Sequence, residues 1–322
     1  MTDKLFGITE RRHVHIVNPC AGDGRYLESI RKNAEEKGDE LILTESRGGA
    51  EVLCREIAAA EPMAHLMIYG GDGTVHEAVN GIMTSGSADT VSFSVVSAGS
   101  GNDFAAYANK AAGYPSPELH RLDVIKASTG RYYINGLNMG FDAQVVIAAD
   151  VYKHKRGLRG GAAYIAGVVK VLGKKPTFPA TVTLEGVRDF ADGKGKNGTV
   201  KVTDTYLLCD CANGPFCGGG FKGAPLCDMK DGYMDVLMVK DVTRRKFISL
   251  VKDYHDGTYI CPDGTMDPRF DLYLDYFQCK KITIEAETPY CLDGELQQSG
   301  AVTAEICPNA IWFAPIAPSA KK

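Results

Sequence analysis

Nowhere in the 322 residues does an apolar run approach the roughly 18 to 20 needed to cross a bilayer; the best candidate, Ala162 to Val169, is cut off by Lys170. That absence excludes a helical membrane span from the expected architecture. The sequence also lacks paired CxxC units and a secretory leader pattern, so its ten cysteines predict neither a zinc site nor a disulfide framework but a reduced, cytoplasmic protein. Cys209 and Cys211 lie in an apolar run, where strand alternation sends both to one face as packing residues. Charge of one sign is missing too: 36 basic against 40 acidic side chains leave a formal charge of -4, which excludes a globally basic nucleic-acid binder. There is no internal repeat, and low complexity is confined to the Ala-Pro-Ser-Ala-Lys-Lys tail.

What is present is a hydrophobic content of 44% over a length that suggests two domains. The first part alternates strand and helix patterns: Val14 to Asn18, a polar helix from about Tyr26, Leu41 to Thr44, a helix after Gly49, His65 to Tyr69, a helix over Val75 to Ile82, Val91 to Val96, and a helix from near Asn102. Such a rhythm predicts an α/β layer on a mainly parallel sheet, with any phosphate site beyond the carboxyl ends of its strands. After Leu122 the texture turns to β-rich runs at Asp123 to Ala127, Tyr132 to Asn135, Ala180 to Leu184, Thr199 to Cys211, Met234 to Val239 and Lys281 to Glu285. Helical patterns at Gly161 to Leu172 and Thr243 to Tyr254 interrupt them, and Asp189 to Gly198 reads as a mobile hairpin loop. The expected fold is α/β plus mainly β: an α/β domain over 1–122, completed by 308–322, and an antiparallel, sandwich-like β domain over 123–307.

Three segments repeat one logic of apolar strand, small residues, then a helix start. Gly70-Gly71-Asp72-Gly73-Thr74 follows His65 to Tyr69 and opens a helix, which puts successive N–H groups and a positive helix end where polyphosphate can sit. Asp72 suits the magnesium that travels with ATP, and Thr74 a helix cap or a phosphate contact. Asn18-Pro19-Cys20-Ala21-Gly22-Asp23-Gly24 and Ser97-Ala98-Gly99-Ser100-Gly101-Asn102-Asp103-Phe104-Ala105 are the other two. Each alone is compatible with an ordinary loop or N-cap. Likewise, Asp293-Gly294-Glu295 by itself reads as a hairpin turn after Tyr290-Cys291-Leu292.

Together, these segments have the spacing Asn-Pro-x-x-Gly, Gly-Gly-Asp-Gly-Thr and Gly-(Thr/Ser)-x-Asn-Asp-Phe-Ala. On them the chain resembles the diacylglycerol kinase catalytic family, particularly its soluble bacterial lipid kinases. The likeness continues through Asn138 to Ala143, Lys155 to Tyr164, Gly218-Gly219-Gly220, Asp231-Gly232-Tyr233-Met234-Asp235 and Asp293-Gly294-Glu295. The resemblance implies an ATP- and Mg2+-dependent kinase whose first domain binds nucleotide through Asn18, Pro19, Gly22, Thr44, Gly70, Gly71, Asp72, Gly73, Thr74, Glu77, Ser100, Asn102 and Asp103. It implies Glu295 as the base that takes the proton of the lipid hydroxyl, Asp72 as the acidic residue of the phosphate loop, and a structural magnesium held by the Asp231 carboxylate with backbone carbonyls of Asp228 and Tyr233. Chemistry agrees, since phosphoryl transfer needs a glycine cradle, an acidic magnesium partner and a carboxylate near the acceptor oxygen. Ser100, His76 and Ala106 stand where the family commonly has Thr, Asn and Arg, and none of these departures removes a charge the chemistry requires.

Diacylglycerol is the leading acceptor, with a sphingoid base, ceramide or phosphatidylglycerol as related ones. A kinase for NAD shares the Gly-Gly-Asp-Gly-Thr loop but not the Gly-Gly-Gly, Asp-Gly-Tyr and Asp-Gly-Glu segments, and a non-catalytic nucleotide or lipid sensor is the rival from another class. Lys153, His154, Lys155, Arg156 and Arg159 form a basic edge beside the apolar helix pattern, suited either to solvent or to an anionic membrane surface. The expected partners are therefore ATP and a lipid met at the membrane surface, with a homodimer expected at the level of the family.

Overall fold

The computed structural model describes residues 8–24, 27–98, 102–111, 118–156, 161–188 and 195–316. The chain divides into two compact units, 1–124 with 308–322 and 125–307, so it passes between them within two strands, β5 (His120–Ala127) and β15 (Val302–Phe313).

Unit one is an α/β layer. β1 (His13–Val17) is central, flanked in parallel by β2 (Glu40–Leu43) and β3 (His65–Gly70). β3 pairs in parallel with β4 (Ser92–Ser97), which pairs with Trp312 and Phe313 of β15. The helices are α1 (Leu27–Lys37), α2 (Gly49–Ala60), α3 (Asp72–Thr84) and α4 (Asp103–Ala111). Strands buried on both faces are largely apolar, and Val14, Ile16, Leu66, Ile68 and Phe93 are wholly enclosed. A Cβ at Gly81 would stand 2.4 Å from the Glu51 carbonyl oxygen, so glycine is what lets α3 lie this close to α2. His65 is buried in this layer between the hydroxyls of Ser92 and Ser94, at 2.9 Å each, and burial holds its imidazole down to about 3, hence neutral.

Unit two is antiparallel. Its strands are β6 (Tyr132–Tyr133), β7 (Gly136–Gly140), β8 (Phe178–Arg188), β9 (Gly195–Ala212), β10 (Met234–Lys240), β11 (Leu274–Cys279), β12 (Lys281–Glu285), β13 (Tyr290–Leu292) and β14 (Glu295–Leu296), with the first part of β15. The long strand β9 pairs with β8 as far as Tyr206 and then with β7 and β10, so one strand serves two sheet regions and gives the sandwich-like form. Between them lies a core that includes Met139, Val182, Tyr206, Val236 and Ile284, and Cys209 and Cys211 are packing residues of that core. Helices α5 (Phe141–Arg156), α6 (Gly161–Lys174) and α7 (Arg244–Asp256) build a second core with Leu207, Leu208 and Leu237.

One segment differs from expectation, and further elements are additional. Residues 195–198, expected in a loop, belong to β9, while 189–194 lie outside the described residues. α5 and β11 are elements that the hydrophobic pattern did not announce. Among the described residues no helix is long and apolar enough to cross a membrane.

Candidate active site

The three glycine-containing motifs of unit one all follow parallel strands, and side chains tie them together. Asn18 leaves β1 with its N–H bonded to the Tyr69 carbonyl at 3.0 Å, while its Oδ1 accepts from Cys20 N to make a local turn. Its Nδ2 donates to Thr74 Oγ1 at 3.1 Å, joining the Asn-Pro loop to the Gly-Gly-Asp-Gly-Thr loop. Asp72, the first residue of α3, reaches across to the third motif: Oδ2 accepts from Asn102 N at 2.8 Å and Oδ1 from Phe104 N at 3.4 Å. Asn102 holds φ of 62°, a left-handed turn that asparagine tolerates. Phe104 then pins α4 by burying its ring against Phe93 and Phe313, at centroid distances of 6.1 and 5.6 Å. Glu77 is the third tie; its carboxylate accepts from Gly48 N at 2.7 Å and Ala50 N at 3.1 Å, at the start of α2.

Close approach is built into the central loop. A Cβ on Gly70 would lie 2.4 Å from the side chain of Thr74, so only glycine fits there. The N-cap of α3 is Gly71, which has no side chain to bond the first N–H groups of the helix. The site's negative group is Asp72, whose carboxyl is pushed up to about 6 by burial and by Asp103, against the pull of the Asn102, Asp103 and Phe104 N–H groups. These residues fit a nucleotide with its divalent ion: a cradle that a Cβ would fill, an uncapped helix end and a carboxylate. Thr44 bonds Val17 O through its N–H at 2.9 Å and packs against Gly49, which places it beside the loop that Glu77 holds. Pro19 and Gly22 lie in the first loop, Asp103 is buried at the head of α4, and Ser100 lies outside the described residues. His76 is buried in α3 beside Asn80, and Ala106 is exposed.

Glu295 belongs to unit two. Asp293 and Gly294 carry φ of 49° and 84°, the two positive values that a tight hairpin turn demands, and the turn joins β13 to β14 so that Leu292 pairs with Glu295. The Asp293 carboxylate accepts from Ile134 N, Asn135 N and Gly136 N at 3.1, 2.8 and 3.0 Å. Turn chemistry therefore gives Glu295, the partner of Leu292, a fixed position. The same unit contains an apolar pocket lined by Leu208, Val239, Phe247, Leu250, Val251 and Phe270, among others, where α7 covers the sheet.

Residues 12–131 match the diacylglycerol kinase catalytic domain, and residues 134–314 match the YegS C-terminal NAD kinase beta sandwich-like domain. The chain belongs to the diacylglycerol kinase catalytic family. It is a lipid kinase of that family. "Putative lipid kinase YtlR" of Bacillus subtilis is 28% identical over 315 residues, covering 87% of this chain and 92% of that protein. Human sphingosine kinase 1 is 26% identical over 360 residues, covering 92% and 89%. A Bacillus anthracis protein whose crystal structure is described as "a putative diacylglycerol kinase" superposes with a TM-score of 0.68 at 22% identity over 95% of each chain, a likeness of fold.

Against the family pattern, the Asp-Gly-Tyr turn of this lipid kinase is occupied differently. Asp231 Oδ2 meets Arg188 Nη1 at 2.6 Å, and Oδ1 accepts from Tyr233 N at 3.0 Å. Asp228 Oδ1 accepts from Lys230 N, and its carbonyl from Asp231 N. With the Arg188 guanidinium already against the Asp231 carboxylate, Asp228, Asp231 and Tyr233 do not fit a divalent ion as they stand. A further acidic pair went unread in the sequence. Ligand atoms of Asp142, Asp210 and Cys217 lie within 4.8 Å of one another, and burial raises both carboxyls above their ordinary range. Asp210 sits in an apolar strand, and only its one inward carboxylate among Leu207, Leu208 and Cys209 could have signalled it.

Proposed function

We propose that this lipid kinase transfers the γ-phosphoryl group of ATP to the free hydroxyl of a diacylglycerol, giving phosphatidate and ADP. The observation that carries the reading is the tying of four strand-end loops by Asn18, Asp72 and Glu77 around the start of α3. Such a scaffold holds a polyphosphate in one position, which is most of what phosphoryl transfer asks of a protein. ATP with its divalent ion supplies the phosphoryl group and neutralises its charge. Asn18 to Gly22, Thr44 and Gly70 to Glu77, with Ser100, Asn102 and Asp103, form the nucleotide site of unit one, and Asp72 is the carboxylate that would face the ion.

In unit two, a Glu295 carboxylate oxygen accepts the proton of the acceptor hydroxyl as that oxygen attacks. The apolar pocket under α7 supports a lipid acceptor, because a lining without charge gains by taking an acyl chain out of water. A peripheral role at the membrane surface follows from the substrate, since the enzyme must meet a lipid there. The likeness to human sphingosine kinase 1 over nearly the whole chain favours one second reading, a sphingoid base as acceptor.

The test is transfer of labelled γ-phosphate to diacylglycerol, sphingosine, ceramide, phosphatidylglycerol and NAD in mixed micelles. Label on diacylglycerol above the others supports the proposal; label on sphingosine alone replaces the acceptor, and label on NAD alone overturns the lipid reading.

A further inference from the structure

The residues of the Asp228–Tyr233 turn are held by a longer network whose members Arg188, Tyr276 and Gln278 lie outside every motif. Arg188, the last residue of β8, stands opposite Gln278 of β11. Its Nη1 bonds both Asp231 Oδ2 at 2.6 Å and Gln278 Oε1 at 3.2 Å. Gln278 Nε2 in turn donates to Asp235 Oδ1 at 3.1 Å, and Tyr276 OH to the same oxygen at 2.5 Å. The Arg188 guanidinium also lies over the Tyr233 ring, 4.0 Å from its centroid, and Lys280 Nζ approaches that ring to 5.4 Å. Side-chain exposures of 23% for Arg188 and 18% for Asp231 mean that the pair is shielded from most of the water that would weaken it.

We infer that Arg188 is the permanent counter-ion of the Asp228–Tyr233 turn, so that in this chain a guanidinium does the structural work the Asp-Gly-Tyr motif otherwise assigns to a divalent cation. A divalent ion needs an oxygen-lined site in which carboxylate and carbonyl lone pairs converge. Here one lone pair of Asp231 is directed at Tyr233 N and another at Arg188, and the carbonyl of Asp228 already accepts from Asp231 N. An ion entering at Asp231 would have to displace Arg188 and would meet the like charge of Lys280 nearby. Arginine suits the task better than lysine would, because its planar fork can stack on Tyr233 while bonding Asp231 and Gln278 together. The consequence is that the fold of unit two should be indifferent to divalent cations, and any magnesium requirement of the reaction should belong to the nucleotide.

The experiment is thermal melting of nucleotide-free protein in EDTA and then with millimolar Mg2+, Mn2+ or Ca2+, for the natural chain beside Arg188→Gln, Arg188→Lys and Asp231→Asn. The natural chain is expected to melt within about a degree of the same temperature in every buffer. Arg188→Gln should melt lower by about 3–8 °C in EDTA, with Arg188→Lys recovering less than half of the loss. A melting temperature of the natural chain that rises with Mg2+, through a rise that Asp231→Asn abolishes, overturns the inference. An Arg188→Gln protein that melts as the natural chain does also overturns it. Should the Arg188 variants fail to fold, the cation-indifference of the natural chain still decides the question.

Discussion

Asp72 carries two duties that pull in opposite directions. As a tie it accepts N–H groups from the start of α4, yet burial and Asp103 raise its carboxyl from 3.8 to about 6. A carboxyl with a raised value in the folded state binds protons there that the unfolded chain has already released, so its contribution to stability falls as pH rises from about 4 through about 6. Asp72→Asn is therefore predicted to melt no lower than the natural chain at pH 8, to show a flatter dependence between pH 4.5 and 6, and to lose transfer activity by about 100-fold or more. Melting curves at three pH values beside an activity assay check both halves; a variant that melts several degrees lower at pH 8 would show Asp72 to be structural only. Gly70 permits a sharper test at the same scale. A methyl group there would enter the side chain of Thr74, so Gly70→Ala should weaken ATP binding by roughly tenfold or more as the loop is forced off Asn18, measured by titration with nucleotide.

At the scale of elements, the hairpin β13–β14 shows how much of a site is local. Asp-Gly after Tyr290-Cys291-Leu292 already specified a tight turn, because two consecutive positive φ values suit Asp-Gly and few other pairs. What the local pattern could not say is that the Asp293 carboxylate collects three N–H groups from 134–136, residues 157 to 159 positions away. Removing it in Asp293→Ala leaves those donors unsatisfied and should cost on the order of 1–3 kcal/mol in urea unfolding. It should also lower kcat through the displaced Glu295 while leaving ATP affinity unchanged; equal loss of ATP affinity would contradict that division of labour. The additional elements have similar causes. α5 is apolar on several sides, with Val145, Val146, Ile147, Ala148 and Ala149 in succession, so it has no clear helical stripe. β11 buries Gln278, a residue that sequence reasoning sends to the surface and that is tolerated because Asp235 accepts its hydrogen bonds.

For the molecule as a whole, the alternation of strands and helices and the later β texture were legible because each is a short-range period. The closure was less so: Ser94 Oγ donates to the Ala314 carbonyl across 220 residues, and Asn309 N to Asp123 across 186. Motif spacing marked the strand ends but not their wiring, which rests on the Asn18–Thr74 and Glu77–Gly48 contacts between distant segments. The apolar pocket under α7 is another product of assembly, drawn from three strands and a helix. If an acyl chain occupies it, Val251→Phe should cut kcat/KM for a long-chain diacylglycerol by about tenfold and for a short-chain one by less than about threefold. Equal effects on both would place the chain elsewhere.

The proposed role of Glu295, taking the proton from a lipid hydroxyl while the Asp72 loop holds the phosphate, is tested by single-turnover transfer of labelled γ-phosphate to diacylglycerol by the natural chain and by Glu295→Gln, with ATP affinity measured alongside. Glu295→Gln should lose transfer by about 100-fold or more with ATP binding intact. Transfer by Glu295→Gln at the natural rate would contradict it.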